Sequence, residues 1–168
     1  AQVLIVEPQK QSFTRPADAT AYAINDLIAN STTAALVQVM AFKGATKTGN
    51  GGTGRIGNLI LEKSGTVAGS VRCHFLKTPH VVTNGDNAAC VFTALDIKNY
   101  IGWMDVTFTG TDDLFGSGGG TVQKSYDSAL DYCLMTGDMI YAYLSALSAF
   151  TPANAGTFGV RPVFEVFS

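Results

Sequence analysis

The chain has 168 residues, 46% of them hydrophobic and only 14% charged, with a formal net charge of −2. That length suits one domain with a real core, and the apolar share excludes a disordered chain. No overall basic field draws nucleic acid, and a surface so poor in charge must be covered by Ser, Thr, Asn and Gly or be partly buried in an assembly.

Residues 1–13 open on "VLIVE" and turn polar at "PQKQS", which predicts an N-terminal arm or edge strand. There is no basic n-region or long apolar h-region, so a signal peptide is not expected. The initial Ala fits removal of an initiator Met after synthesis in a cytoplasm. In "FTRPADATAYAINDLIANS", 13–31, Pro16 restricts Arg15 to extended backbone and Asn25-Asp26 predicts a turn. "AALVQVMAFK", 34–43, reads as a strand, and "RIGNLILEKS", 55–64, as another. "GSVRCHFLKT" alternates, with Val71, Cys73 and Phe75 on one side and Arg72 and His74 on the other. "NAACVFTALD", 87–96, and "NYIGWMDVTFTG", 99–110, carry strand-like patterning, and "TDDLFGSGGGT", 111–121, is a loop. "SYDSALDYCLMTGD", 125–138, is the best short helix candidate, stopped by Gly137-Asp138. Propensity is divided between helix and strand over 141–150; Thr151-Pro152 breaks either, and "TFGVRPVFEVF" alternates as a terminal strand. The longest uncharged apolar run, 139–160, contains Pro152 and several polar residues, so no membrane span is expected.

Many short apolar runs divided by Gly, Asn and Pro predict a mainly all-β fold: one antiparallel β-sandwich or barrel with long Gly-rich loops and at most one or two short helices. Its bounds are 14–168, after the 1–13 arm or edge strand.

The stretch "GATKTGNGGTGRIG", 44–57, holds the start of a P-loop and the spacing of a dinucleotide fingerprint. A P-loop needs Lys and then Ser or Thr after its second Gly, and here Asn50 and Gly51 stand there. The fingerprint must open a helix, whereas "NLILEKSG" after Gly57 reads as a strand. A mobile connection between strands is the better reading, and no cofactor is expected.

Other chemistry is equally thin. His74 and His80 lack a companion carboxylate cluster for a metal, and His74 is expected to face solvent or a polar neighbour beside Arg72. Ser117 has no nucleophile elbow, and Cys73 and His74, adjacent on a strand, point to opposite faces. Asp112-Asp113 reads as a solvated loop tip rather than a calcium or paired-acid site. Cys73, Cys90 and Cys133 read as buried small hydrophobes, and Trp103, Tyr100 and the other aromatics mostly as core, with a sugar-stacking platform as the alternative. No catalytic constellation emerges, so the expectation is a non-enzyme.

The stretch 13–31, with Arg15, Pro16, Ala17, Asp18, Thr20 and Tyr22 followed by Leu27, Ile28, Asn30 and Ser31, resembles a segment near the start of small virion structural proteins of tailed bacteriophages. The ending "ALSAFTPANAGTF", 146–158, looks like the same family's, and the turn at Ile24-Asn25-Asp26 departs from relatives that more often have Gly. The resemblance implies a head decoration (cement) protein: a jelly-roll-like sandwich bound outside the capsid as a homo-oligomer, dimer or trimer. Its partners would be the major capsid protein and itself, with no nucleic acid, membrane or catalytic residues. Candidate contacts are Val3, Leu4, Ile5 and Val6 of the arm, by strand addition, and in second rank Lys47, Arg55 and Phe115. The alternatives are a tail or baseplate component and a carbohydrate-binding β-sandwich.

Overall fold

A computed structural model of the chain describes residues 2–80, 82–109, 121–125 and 127–168, with the backbone alone for 121–124. Its strands are β1 (Leu4–Val6), β2 (Gln11–Thr14), β3 (Leu27–Ile28), β4 (Met40–Lys43), β5 (Gly52–Lys63), β6 (Gly69–Leu76), β7 (Tyr100–Phe108), β8 (Thr121–Lys124), β9 (Leu130–Leu134), β10 (Met139–Ala146) and β11 (Thr157–Val166). One short helix, α1 (Ala94–Asn99), and a 3-10 turn at Ala34–Leu36 complete the described elements.

These strands form two antiparallel sheets. In the first, β1 and β2 lie in turn along β11, β11 pairs with β5, and β8 and β9 lie along the far side of β5. In the second, β3 and β4 share one side of β10, which pairs with β6, which pairs with β7. Taking each split pair as one position, the chain visits the sheets in the order first, second, first, second, second, first, second, first. That is the double Greek key of a jelly roll. The sandwich expected from the sequence is therefore the fold, and its winding is jelly-roll.

The core lies between the two inner faces. Ile56, Leu59, Leu61, Phe158, Val160 and Phe164 of the first sheet meet Phe42, Val71, Phe75, Met104, Val106 and Leu144 of the second, all nearly or wholly buried. The alternation of 71, 73 and 75 inward against 72 and 74 outward is as the sequence predicts. β10 departs from alternation: from Ala142 to Ala146 every residue is buried, because residues 77–99 fold over the outer face there. Double-sided burial is why this segment carried no clear period in the sequence.

Several sequence expectations are corrected. Only 44–51 of the glycine stretch connects strands; Gly52, Gly54 and Gly57 lie within β5. At Gly54 a Cβ would collide with the Tyr132 hydroxyl, and Gly57 sits at a bulge where the register against β11 shifts between Val163 and Phe164. The connection is also tied down: Gly44 and Ala45 donate to the Asp138 carbonyl and Gly51 to that of Gly137, while the Tyr132 hydroxyl donates to the Ala45 carbonyl at 2.7 Å. The helix expected over 125–138 is instead β9 and a turn, since Tyr132 and Leu134 point inward from a strand paired with β5. Residues 87–96 are not a strand; they end in α1, whose first turn is a capping box of Thr93 and Asp96. Over 34–43 only Met40–Lys43 is strand.

The two segments that carry the family resemblance pack on one another. The Tyr22 amide donates to the Phe150 carbonyl at 2.9 Å, Asn25 to Ala146 at 2.7 Å and Arg15 to Gly156 at 2.8 Å. Asn25 has φ +71, a region where Asn is the next best residue to Gly, so the turn is filled without glycine. Beneath this unit lies a buried ion pair. Arg15 Nη2 donates to Asp86 Oδ2 at 2.8 Å, and its Nε donates to the Tyr22 hydroxyl. Tyr22 in turn donates to Asp86 Oδ1 at 2.7 Å, and the Ala29 amide donates to the same oxygen at 2.8 Å. Burial alone would pull the Arg15 pKa down, but Tyr22 and Asp86 outweigh it and hold the guanidinium charged.

Removing the carboxylate strands a buried cation, so Asp86→Ala is expected to lower unfolding free energy by about 3–5 kcal/mol in urea titrations. The paired replacement Arg15→Met/Asp86→Leu is expected to cost less than Asp86→Ala alone, because no charge is left unpaired.

Candidate interaction surface

β1 is an edge strand of the protein's own first sheet, with its free side toward solvent. Its register places Leu4 opposite Val166, Ile5 opposite Glu165 and Val6 opposite Phe164. Leu4 and Val6 therefore lie on the inner side and Ile5 on the outer, yet Val3, Leu4 and Ile5 are 47%, 48% and 58% exposed. Val6 packs at the margin of the core. An edge with unpaired backbone groups and three neighbouring apolar side chains is a template for pairing with another chain.

Lys47 and Arg55 sit beside this edge and already have partners. Lys47 Nζ donates to the carbonyls of Gln2 at 2.5 Å and Phe167 at 3.0 Å, pinning the arm to the end of the chain. Arg55 pairs with Asp131 at 3.1 Å and Glu165 at 3.7 Å, and its guanidinium lies over the Phe167 ring. Phe115, like Asp112, Asp113 and Ser117, lies outside the described residues.

The outer face of the second sheet carries both histidines. Outward-facing His74 on β6 is held between the Tyr100 hydroxyl at Nδ1, 2.7 Å away, and the Ser145 hydroxyl at Nε2, 2.8 Å away. Of the two expectations for His74, the polar neighbour is realised. His80 Nδ1 meets Asp96 Oδ2 at 2.7 Å, while its backbone amide donates to the Tyr143 hydroxyl. Phe92 stands between the two imidazoles, with ring centroids 4.9 Å from His74 and 5.0 Å from His80. Burial, helped by nearby Arg72, pushes the His74 pKa down to about 4. A Ser–His contact suggests hydrolytic chemistry, but Ser145 is 3% exposed and the other imidazole nitrogen faces a phenol instead of an orienting carboxylate. The arrangement packs a covering segment; it does not present a nucleophile.

At the free side of this sheet β7 is capped by Ser125 and Asp127. The Asp127 carboxylate accepts the Asp105 amide proton, and the Ser125 hydroxyl donates to the Asp105 carbonyl at 3.1 Å. Trp103 is 47% exposed on β7, with Arg72 stacked on its ring at 4.7 Å and held bidentately by Asp105 at 2.8 and 2.9 Å. It lines a cavity of about 390 Å³ with Ile101, Gly102, Asp127, Ser128 and Leu130. The expectation that most aromatics are core thus fails for Trp103.

The cysteines divide three ways. Cys73 is fully buried, its thiol pKa pushed up by burial; Cys90 is half-buried, pushed up to about 11; Cys133 is exposed, against expectation, because it faces outward from β9. Among the described residues no group of three or more His, Cys, Asp or Glu is placed to hold a metal ion. Among them, too, no helix is long and apolar enough to cross a membrane.

Sequence reasoning missed the Arg15–Asp86 and His80–Asp96 pairs, whose partners lie 71 and 16 residues apart. One signal was present: Thr93-x-x-Asp96 has the spacing of a capping box.

The fold defines the class as a jelly-roll β-sandwich, an architecture used by capsid proteins, lectins and cupins alike. No protein-family model and no curated protein matches the chain. Among solved structures it is similar to a chain of the heated full particle of Israeli acute paralysis virus, at 11% identity and a TM-score of 0.33, covering 97% of this chain and 70% of that one. It is also similar to a chain of sacbrood virus of honeybee, at 11% identity and a TM-score of 0.28, covering 96% of this chain and 68% of that one. At these scores neither likeness bears on what the chain does.

Lys47→Ala is expected to free the Gln2 and Phe167 carbonyls and raise amide exchange of residues 3–6 several-fold, with β5 and β11 unchanged over Leu59–Leu61 and at Val160 and Arg161.

Proposed function

We propose that this chain is a non-enzymatic structural protein of a virus particle, and in particular a decoration (cement) protein on the outside of a tailed-bacteriophage head. The observation that carries the reading is the β1 edge: a short apolar strand on the rim of a jelly roll, with Leu4 and Ile5 and the preceding Val3 exposed as one contiguous apolar run. Such an edge binds by strand addition, in which backbone hydrogen bonds give affinity and alternate side chains give specificity. Symmetry multiplies each contact over a shell, so modest affinity at one site suffices to stiffen it against internal DNA pressure. The packing of residues 13–31 against 146–158 supports the same reading, because the segments that resemble the phage family form one structural unit.

In this reading the partners are the major capsid protein and further copies of the chain, as a dimer or trimer. Lys47 keeps the arm aligned for docking, and Arg55 lines its flank. A tail or baseplate role would use the same edge on a different shell. A carbohydrate-binding role has its own support in half-exposed Trp103 beside Asp127 and Ser128, an aromatic face with polar groups at its margin.

Purified protein added to expanded capsids lacking it is expected to bind at a fixed ratio to capsid subunits and to raise the disruption temperature of the shell. Leu4→Lys/Ile5→Lys is expected to reduce occupancy by about tenfold or more while leaving the fold intact by circular dichroism. Absence of binding to every maturation state of the shell overturns the decoration reading. Retention of isolated protein on a glycan array would then favour the Trp103 face.

A further inference from the structure

Helix α1 is inside out. Its one buried residue is Asp96, while Leu95 and Ile97 are 66% and 68% exposed and nearby Val91 is 50% exposed. Apolar burial cannot hold such a helix in place, and at six residues it is far too short to be stable by itself. Its hold must come from what lies beneath it.

Two anchors fix the covering segment 77–99, and they differ in kind. The middle is anchored by backbone pairing and by the buried ion pair. Asp86 and Asn87 donate to the Ser31 and Leu27 carbonyls, Cys90 donates to that of Asn25, and the Asp86 carboxylate holds Arg15. Beyond Cys90 one backbone hydrogen bond ties the segment to the rest of the fold, from the Lys77 amide to the Asn99 carbonyl at its very end; between them the hold is ring packing and side-chain contacts. Phe92 is wedged between His74 and His80 and lies 5.6 Å from Tyr100, and the Asp96 carboxylate receives His80, the Thr93 amide and the Thr93 hydroxyl.

The two histidines have different neighbours. His80 touches the Asp96 carboxylate at 2.7 Å. His74 touches two hydroxyls and no carboxylate. Around His74 the ionisable groups are Arg72 on its own strand, Asp105 and Tyr100 on β7, Tyr143 on β10, and Cys90 from the covering segment near Tyr100. Asp105 is the nearby acid, but both its oxygens are engaged by Arg72. Trp103, the single tryptophan, pairs with His74 across the strands.

We propose that residues 91–99 form an acid-released strap whose catch is Phe92, seated between His74 and His80. Closed, the strap keeps the imidazole of His74 partly buried and neutral. Open, that imidazole takes up a proton in water. The sign follows from linkage: His74 is pushed down to about 4 when covered, against its ordinary value of 6.5 when free. Closure is therefore at full strength above about 6.5 and weakens as the pH falls toward about 4. The middle of the segment stays, because the backbone hydrogen bonds of Asp86, Asn87 and Cys90 to Ser31, Leu27 and Asn25 do not involve His74. Release gives water access to Tyr143 and Ser145 and frees a short segment bearing Val91, Phe92, Leu95 and Ile97. This device is independent of the virion reading and holds or fails by itself.

The test is hydrogen–deuterium exchange of the whole chain at pH 7.5 and 4.5, corrected for the intrinsic pH dependence of exchange. Protection over 91–99 is expected to fall by about tenfold or more at the lower pH, while 84–90 and β10 keep theirs. H74Q retains a hydrogen-bonding side chain without the titration, and its strap is expected to be equally protected at both values. Should H74Q fail to fold, the wild-type imidazole resonances decide: His74 is expected to titrate well below 6.5, in step with loss of the Phe92 ring contacts. Equal protection of 91–99 at both pH values, a loss shared with 84–90 and β10, an acid response surviving in H74Q, or a His74 midpoint at its ordinary value each overturns the proposal.

Discussion

Asp86 accepts hydrogen bonds from the Arg15 guanidinium, the Tyr22 hydroxyl and the Ala29 amide, all away from water. Ladder hydrogen bonds unite the strands of each sheet, and backbone pairing ties the β3 region to the long connection between β6 and β7, but the end of β2 and the Tyr22 segment meet that connection through side chains. This carboxylate joins all four. A charge so deeply buried is tolerable because its partners are complete, and that completeness makes it directional. Around it, residues 13–31 and 146–158 adopt one shared geometry, and the connection 77–99 is laid over the second sheet instead of looping into solvent.

The consequence for function runs through exposure. With the outer face of β10 covered and the β7 edge capped by Ser125 and Asp127, the exposed large apolar side chains of the described residues, besides Ile24, Leu36, Val39, Val67 and Met135, lie at the β1 edge, around α1 and at Trp103. The first suits strand addition, the last a stacked ligand, and the helix is a surface set by a polar anchor. Several of the chain's few charges are paired: Arg15 with Asp86, Arg72 with Asp105, Lys10 with Glu62 and Arg55 with Asp131. Long-range charge then contributes little to partner choice, and shape and backbone pairing contribute most.

Much of the sandwich was legible because alternation survives wherever one face is wet. β6, β7 and β11 read correctly for that reason, and β5 nearly so. The failures have physical causes. Residues 125–138 have respectable helix composition, yet pairing with β5 overrides a weak local preference and makes 130–134 a strand. Val91 and Phe92 look like strand residues but precede a capped turn whose apolar positions face outward. The candidate contacts Val3, Leu4 and Ile5 were visible as an apolar run next to a polar one, whereas Lys47 could be seen as a loop cation but not as the clasp between Gln2 and Phe167.

By itself, the sequence determined the class of fold, the placement of most inward-facing residues and the failure of the glycine stretch as a nucleotide loop, since each depends on neighbours one to four positions away. Tertiary structure alone decided the jelly-roll winding, the Arg15–Asp86 pair, the wedge of Phe92 between His74 and His80, and the use of Gly54 to admit the Tyr132 hydroxyl. Those features join residues from 12 to 78 positions apart. Burial makes such contacts strong by removing water, and which residues are buried together is settled only once the sheets have closed on one another.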